Sequence, residues 1–329
     1  MDHPLRIGLL GAARIAPNAL LRPAAANPAV AVVAVAARDP QRAQSFATQW
    51  GIPQVHPSYA GLLADPTIDA IYNPLPNGLH GEWTCKALQA GKHVLCEKPL
   101  AANATEAAAM AHVADNTGLI LMEAFHTLYH PLAARLKAIV ASGELGRIRH
   151  VEAHFCTLLL RRHDIRLDYG LAGGATMDLG CYTIRLLRYL LDAEPQVVRA
   201  HAICHRPQID RKMVVEFRFP SASGDIGGAM SCAFWSRRLI RITAKIVGDA
   251  GELHVINPLL PQLFHLVRIK SGAGSRYERC PGASTYHYQL AAFVQAIRHQ
   301  QPPLTDGHDG VANMRVIDAI YQAAGLQPR

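Results

Sequence analysis

The stretch RIGLLGAARIA, residues 6–16, decides the fold expected for the first part of this chain. Its apolar run ends in a glycine turn, and small residues then lead toward a helix-forming segment. A dinucleotide-binding loop has this arrangement, in which Gly11 permits the tight turn and backbone N–H groups beyond it face a pyrophosphate. Ala13 stands in place of the middle glycine of that pattern, and Ala16 takes the third position. The alternative interpretation is an ordinary connection between a strand and a helix that binds no ligand.

Further short apolar runs follow this loop, at residues 30–37, 69–73, 93–97 and 119–124. They are aliphatic or β-branched and nearly continuous, as is typical of buried parallel strands. Amphipathic helical stretches separate them, and one of these stretches begins at Asp39-Pro40, where an aspartate can cap and a proline suits the first turn. Residues 1–124 are therefore predicted to form a doubly wound parallel sheet, with a ligand crevice at the carboxyl ends of its strands.

The pattern changes after residue 124. A helix, a strand that ends near Cys156, a glycine-rich loop and a second helix are followed by several longer strands between residues 197 and 269. Consecutive strands with short turns predict an antiparallel sheet, so residues 125–307 are expected to form an α+β domain that binds substrate. A closing helix at about 308–326 is expected to pack back on the first domain. The fold class is thus α/β, with an N-terminal doubly wound sheet and a C-terminal domain containing a large open antiparallel sheet.

Apolar residues on both faces of that second sheet predict an assembly. Helices of the same domain can cover only one face, and soluble monomers rarely expose a large apolar patch. We therefore expect a homodimer, or a dimer of dimers, that forms through this sheet.

Composition excludes several classes of protein. Half of the 329 residues are hydrophobic and 18% are charged, so the chain is not disordered, and no run approaches the ~20 apolar residues that span a bilayer. No secretory pattern opens the sequence, and seven cysteines without a CxxC pair are typical of reduced thiols, which predicts a cytoplasmic protein. The +8 charge is dispersed and only 6% of residues are aromatic, which favours a small anionic cofactor over nucleic acid. Seventeen histidines show no metal-site spacing.

The end of the second strand bears on the choice of cofactor. An NAD enzyme usually has an acid there, which hydrogen-bonds the ribose 2′-hydroxyl. Here Ala36-Ala37 is followed by Arg38, whose guanidinium suits a 2′-phosphate, while Asp39 is expected to cap the next helix. NADP is therefore expected rather than NAD. A solvated surface arginine is the alternative.

Two short segments contain the candidate catalytic residues. Lys98 follows an apolar run in EKPLA, and GGATMDLGCY places Asp178 and Tyr182 four residues apart on a helical stretch. A tyrosine with a pKa near ~10 is a poor base at neutral pH, but a nearby ammonium would lower that pKa. We therefore expect Lys98 to assist Tyr182, provided that the fold brings them together. Otherwise Tyr182 is an ordinary half-buried helix tyrosine.

These motifs together resemble a known family of enzymes. GLLGAARIAP, PNGLH, EKPLA, EAF with YHP, and GGATMDLGCY are similar, in this order, to the motifs of the glucose–fructose oxidoreductase / inositol dehydrogenase (Gfo/Idh/MocA) family. Tyr182 stands where inositol-dehydrogenase-like members carry histidine, so the resemblance is to the branch of xylose dehydrogenase and dimeric dihydrodiol dehydrogenase.

The resemblance implies a Rossmann fold and hydride transfer at a carbon of a sugar or cyclic alcohol. It implies Lys98 and Tyr182 as the catalytic pair, Asp178 as a partner that orients the substrate, and a cis peptide bond before Pro99. With the loop analysis, it places around the cofactor Gly11, Ala12, Ala13, Arg14, Ile15, Arg38, Leu75, Pro76, Asn77, His80, Glu97, Lys98 and Pro99. The residues expected around the substrate are Phe125, His163, Arg166, Asp178 and Tyr182.

Departures from the family pattern leave the substrate open. Thr127 and Leu128 replace the aromatic residue and arginine usual in this branch, and the loop at residues 161–166 is strongly basic. That loop either admits an anionic group of the substrate or is simply solvated. Two rival functions also remain: an NAD-dependent glycoside-cleaving enzyme of the same fold, and a non-catalytic NADP sensor, which would be expected to lack Lys98 or Tyr182.

Overall fold

The computed structural model describes residues 3–160, 164–222, 224–236, 239–272 and 274–329. The chain divides into two compact units. The first comprises Met1–Phe125 with Tyr286–Val311, and the second comprises His126–Thr285 with Ala312–Arg329. The assignment of residues 1–124 to cofactor binding and of 125–307 to substrate binding stays a prediction.

Six parallel strands form the sheet of the first unit. They are β1 (Leu5–Leu10), β2 (Val30–Ala36), β3 (Gln54–His56), β4 (Ala70–Asn73), β5 (His93–Cys96) and β6 (Leu121–Glu123), in the spatial order β3-β2-β1-β4-β5-β6. Every residue of β4, β5 and β6 is buried, which explains why these strands are mostly apolar rather than alternating. The predicted doubly wound sheet is confirmed. The sequence did not reveal β3, because three residues with polar ends leave no apolar run.

Helices connect these strands: α1 (Arg22–Ala25), α2 (Pro40–Trp50), α3 (Tyr59–Leu63), α4 (His80–Gln89) and α5 (Ala104–Thr117). A π-helical turn, Pro17–Leu21, precedes α1. Asp39 caps α2, since its Oδ1 accepts the N–H groups of Gln41 at 3.0 Å and Arg42 at 3.3 Å. The aspartate is therefore committed to the helix, as its position before Pro40 predicted.

Eight strands form the sheet of the second unit. They are β7 (Ile148–Cys156), β8 (Gln196–Arg206), β9 (Ile209–Phe219), β10 (Ile226–Ala233), β11 (Arg241–Gly248), β12 (Gly251–Ile256), β13 (Leu266–Ser271) and β14 (Gly274–Glu278). Their order is β14-β13-β12-β11-β7-β10-β9-β8, and all neighbours are antiparallel except β7 and β10. The mostly antiparallel sheet was predicted, whereas the central parallel pair is a long-range pairing that no local pattern indicates. The polar edge strand β14 was also not predicted.

The helices of the second unit include α6 (Pro131–Ala141) and α7 (Cys181–Leu191), and the chain closes with α8 (Thr285–His299) and α9 (Gly307–Ala323). Met213, Val215 and Phe217 alternate along β9 as buried residues. The opposite face of the strand exposes Val214 together with polar side chains, so it is mixed rather than uniformly apolar. Homodimer formation through this sheet stays a prediction.

Neither a membrane span nor a metal cluster is found in the described ranges. No helix there is both long and apolar enough to cross a bilayer. In the same part of the chain, no three His, Cys, Asp or Glu side chains are grouped so that they could hold a metal ion.

Candidate active site

The loop after β1 presents backbone donors where a diphosphate is expected. Gly11 has φ +82°, and its N–H donates to the carbonyl of Ala36 at 2.6 Å. A Cβ at this position would lie 3.1 Å from Leu75 Cδ2, so a side chain there would be strained and crowded. No acceptor in the described ranges takes the N–H groups of Ala12, Arg14 or Ile15. These free donors fit the oxygens of a pyrophosphate.

A second arginine joins Arg38 beside this loop. Arg38 follows β2 and is exposed, and Arg42 Nη2 donates to the carbonyl of Ala12 at 2.6 Å. Burial raises the pKa of Tyr59, whereas a hydrogen bond with the Arg38 backbone and the positive charges of Arg38 and Arg42 oppose that rise. The sequence analysis missed Arg42, although its place in the first turn of the helix after Arg38 is a usable signal. Together the two guanidinium groups give the loop a positive flank.

Lys98 belongs to a segment fixed at the carboxyl ends of β4, β5 and β6. On one side, the Tyr72 hydroxyl donates to Glu97 Oε1 at 2.7 Å. On the other side, the N–H of Leu100 donates to Glu123 Oε1 at 2.7 Å, and Glu123 is fully buried. The backbone that carries Lys98 is therefore held at both ends, at the sheet edge where such folds bind ligands.

His80 links two of the loops at this edge. Its Nδ1 lies 2.9 Å from the carbonyl oxygen of Pro99, and its Nε2 lies 2.7 Å from that of Leu75. The peptide bond between Lys98 and Pro99 is cis. Burial lowers the pKa of the fully buried His80 below its usual value, the two carbonyls oppose this, and Lys98 adds to the lowering. The ring thus connects the Lys98-Pro99 segment to the loop before the short 3-10 turn Asn77–Leu79.

Tyr182 takes part in a buried chain of hydrogen bonds in the second unit. The tyrosine, near the start of α7, is 9% exposed, and its Oη lies 3.2 Å from His126 Nε2. His126 Nδ1 lies 2.7 Å from Thr285 Oγ1, and both residues are buried. The Phe155 ring packs edge-on against Tyr182 at 5.8 Å. The sequence analysis did not identify His126 or Thr285 as part of the site, because they are 159 positions apart and give no local spacing signal.

Asp178 is held by an arginine. It lies in a π-helical turn, Thr176–Gly180, directly before α7, and its Oδ2 accepts Arg166 Nε at 2.8 Å. Arg166 Nη1 also donates to Asp164 Oδ1 at 3.1 Å. The Asp178 charge, followed by that of Asp164, raises the pKa of Arg166. Arg166 is thus neutralised by two carboxylates and orients Asp178, while His163 lies outside the described residues.

A fully buried carboxylate, Asp210, anchors the start of the same π-helical turn. Its Oδ2 accepts both the N–H and the hydroxyl of Thr176, each at 2.7 Å. Its Oδ1 accepts the Tyr321 hydroxyl at 2.9 Å and Arg329 Nη2 at 3.1 Å. Gly174, with φ +131°, passes so close that a Cβ would overlap this carboxylate. The sequence analysis did not identify this cluster.

The remaining predicted residues are placed as follows. Phe125, Thr127 and Leu128 are buried at 1%, 5% and 5% exposure. Lys98 and the loop after β1 belong to the first unit, whereas Asp178 and Tyr182 belong to the second. The pairing of Lys98 with Tyr182 therefore stays a prediction.

Comparison with known proteins assigns both parts of the chain. Residues 5–125 match the model of an oxidoreductase family with an NAD-binding Rossmann fold, and residues 133–254 match the Gfo/Idh/MocA C-terminal domain. A D-xylose 1-dehydrogenase (NADP(+)) from Haloferax volcanii is 34% identical, over 97% of this chain and 97% of that protein. A dTDP-3,4-didehydro-2,6-dideoxy-alpha-D-glucose 3-reductase from Streptomyces violaceoruber is 33% identical, over 98% of this chain and 96% of that one.

A solved structure agrees over the same length. The 3-ketoreductase from Actinomadura kijaniata, in complex with NADP and TDP-benzene, superposes with a TM-score of 0.88 and 28% identity, covering 97% of this chain and 98% of that one. The first family model thus includes the loop after β1 and the segment around Lys98, and the second includes the helix of Tyr182. The chain belongs to the Gfo/Idh/MocA family of oxidoreductases.

Proposed function

We propose that this protein is an NADP-dependent oxidoreductase that acts on a sugar, a sugar derivative or a cyclic alcohol. Bound NADP would supply the nicotinamide that exchanges a hydride with the carbinol or carbonyl carbon. The unpaired N–H groups of Ala12, Arg14 and Ile15 fit the pyrophosphate, and Arg38 with Arg42 fits a 2′-phosphate. Two relatives support this cofactor: the xylose dehydrogenase is named as NADP-dependent, and the 3-ketoreductase was solved in complex with NADP.

The hydrogen bond between Tyr182 and His126 is the observation that carries the proposal. In the oxidation direction the substrate hydroxyl loses a proton, and Tyr182 Oη is the group we assign to accept it. A free tyrosine titrates near ~10, so the site must stabilise the phenolate. His126 Nε2 lies 3.2 Å from this oxygen and can donate to it, because the Thr285 hydroxyl can accept or donate at the other ring nitrogen.

Lys98 is assigned the second stabilising role. Its ammonium would hydrogen-bond the reacting oxygen and favour the phenolate of Tyr182 by charge. The contacts that fix Glu97 and Leu100 on either side support a positioned lysine rather than a mobile one. Asp178, held by Arg166, would orient a substrate hydroxyl.

The proposal is tested by a substrate screen. Aldoses, keto-sugars, inositols, cyclic diols and nucleotide-linked keto-sugars are followed by nicotinamide absorbance with NADP and with NAD. On the best substrate, Lys98→Met and Tyr182→Phe should each lower turnover by about 10²–10⁴, with NADPH affinity nearly unchanged. The double variant should lose little more than either single variant, because the two groups act together. Parental turnover in Lys98→Met would show that the lysine is structural.

Cofactor choice is tested separately. Arg38→Ala should weaken NADPH binding by about 1.5–3 kcal/mol, the scale of a hydrogen bond between charged groups, and leave NADH binding nearly unchanged. Arg22→Ala is the matched control and should leave NADPH binding unchanged, since Arg22 is also an exposed arginine of the first unit but belongs to α1 and is not assigned to the cofactor. If NADH binds the parent as tightly as NADPH does, the cofactor assignment is wrong.

A further inference from the structure

A cleft of about 820 Å³ lies at one edge of the second unit. The strands β7 and β10 run parallel, so their carboxyl ends meet at the same edge of the sheet. Leu159 and Leu160 follow β7, Trp235 follows β10, and all three line the cleft. The hairpin of β8 and β9 also lines the cleft, with Arg206 at the end of β8 and Arg211 near the start of β9. The space is therefore bounded by two strand ends and one hairpin.

The two cleft arginines have no compensating charge. No carboxylate in the described ranges forms an ion pair with Arg206 or Arg211, and neither side chain donates a hydrogen bond there. The neighbouring arginines differ in this respect, because Arg166 pairs with two carboxylates and Arg329 pairs with Asp210. Two uncompensated guanidinium groups beside apolar walls attract an anion, and their planar donors match phosphate oxygens.

An aromatic surface lies in the same cleft. The indole N–H of Trp235 donates to the carbonyl of Leu159 at 2.9 Å, which fixes the orientation of the ring. The His205 ring, which also lines the cleft, lies 5.3 Å from it. Fixed aromatic faces next to cations suit a ligand that has both a planar ring and phosphates, since nucleobases stack on such side chains.

One short segment of the chain links the cleft to Asp178, which is assigned to substrate orientation. Leu167 forms part of the cleft wall, and the preceding Arg166 donates to Asp178 at 2.8 Å. Asp178 in turn precedes Tyr182 by four residues, about one helical turn. Arg166 and Leu167 belong to the same 3-10 turn, Ile165–Leu167, so one segment both holds Asp178 and forms part of the cleft wall.

We propose that this cleft binds the nucleoside diphosphate of a nucleotide-linked sugar, with Arg206 and Arg211 on the phosphates and Trp235 against the base. The inference rests on the proposed function, which it narrows to a substrate class. The volume lies within the range of about 300–1,000 Å³ typical of sites for ligands of this size. The basic loop at 161–166 was the expected anion site, but Arg166 is neutralised there, whereas the cleft arginines are not. The dTDP-sugar reductase among the relatives supports the same class.

Binding of thymidine diphosphate to the full chain, measured by calorimetry with NADPH present at saturation, tests this inference. Saturating NADPH keeps the probe out of the cofactor site. Arg206→Ala and Arg211→Ala should each weaken binding about 10- to 100-fold, as expected for lost charged hydrogen bonds. Trp235→Leu should weaken it by about 5-fold or more, since base stacking on an aromatic ring is worth ~1–3 kcal/mol. Arg218→Ala, an exposed arginine of β9 that does not line the cleft, should leave binding unchanged.

The outcomes separate this inference from the function on which it rests. If thymidine diphosphate does not bind, or binds equally to the variants with alanine at 206 and 211, the cleft assignment is wrong even if free sugars are oxidised. If inorganic pyrophosphate binds as tightly as the nucleotide, the base contributes nothing and the nucleotide assignment is wrong. If the nucleotide binds as expected but no nucleotide-linked or free sugar exchanges a hydride, the cleft assignment holds and the proposed function fails.

Discussion

Replacement of Asp210 by alanine probes the buried cluster that anchors the π-helical turn Thr176–Gly180. The change would remove the carboxylate that pairs with Arg329, whose side chain is 1% exposed, and with it the acceptor of Thr176 and of Tyr321. Removal of one member of a buried ion pair typically costs about 3–5 kcal/mol, because the other charge remains desolvated. We therefore expect Asp210→Ala to lower the free energy of unfolding of the second unit by about 4 kcal/mol.

The assay is urea unfolding followed by tryptophan fluorescence. The chain has three tryptophans, so a background with Trp50→Phe and Trp83→Phe leaves Trp235 as the reporter of the second unit. Because a two-unit protein need not unfold in one step, only the transition seen by this residue is compared. Glu252→Gln is the matched control in the same unit. Its ion pair with Lys245 spans 2.9 Å but is about one-third exposed, so the cost should be about 0.2–1 kcal/mol.

A double variant sharpens the test. Asp210→Asn combined with Arg329→Met removes both charges of the pair. It should be less destabilised than Asp210→Asn alone, in which the Arg329 charge stays buried without its carboxylate. A cost for Asp210→Ala below about 1 kcal/mol, the level of a surface pair, would refute the reasoning. So would a double variant that is as unstable as the sum of its two single variants.

Three further predictions concern other parts of the molecule. His126→Phe should lower turnover about 10- to 100-fold and move the basic limb of the pH–rate profile to higher pH, since the Tyr182 phenolate loses a donor. His126→Gln should retain part of the rate. An unchanged profile in His126→Phe would exclude stabilisation of the phenolate by His126. Burial lowers the pKa of His80 in the folded protein. The contribution of His80 to the free energy of unfolding should therefore be full above the unfolded pKa of about 6.5 and fall as pH drops through the folded pKa. Melting temperatures of His80→Gln should lack this pH dependence, and an equal slope of melting temperature against pH in both proteins would contradict it. Light scattering should give about twice 35.7 kDa if the protein is a homodimer, and a mass of 35.7 kDa at micromolar concentration would rule that out.

Local sequence patterns predicted the two-sheet fold class and located the segments of the candidate site. The apolar runs of β1, β2, β4, β5 and β6 could be predicted from sequence. Parallel strands are buried on both faces, so their residues do not alternate between apolar and polar. The capping role of Asp39 could also be predicted, since an aspartate directly before a proline is a local signal for the start of a helix. The segments around Gly11, Lys98 and Tyr182 were located by motif, because each motif lies within about ten residues.

Tertiary structure alone decided which groups meet. His126 and Thr285 are 159 residues apart, and Asp210 meets Thr176 and Arg329 across 34 and 119 residues. The parallel pairing of β7 with β10 likewise spans two intervening strands and brings the ends that form the cleft together. Such contacts arise from sheet order and packing, which no local periodicity records. For the same reason, the sequence shows the charges of Arg166 and Arg206 equally. Only the fold shows that Arg166 pairs with two carboxylates, whereas Arg206 forms no ion pair within the described residues.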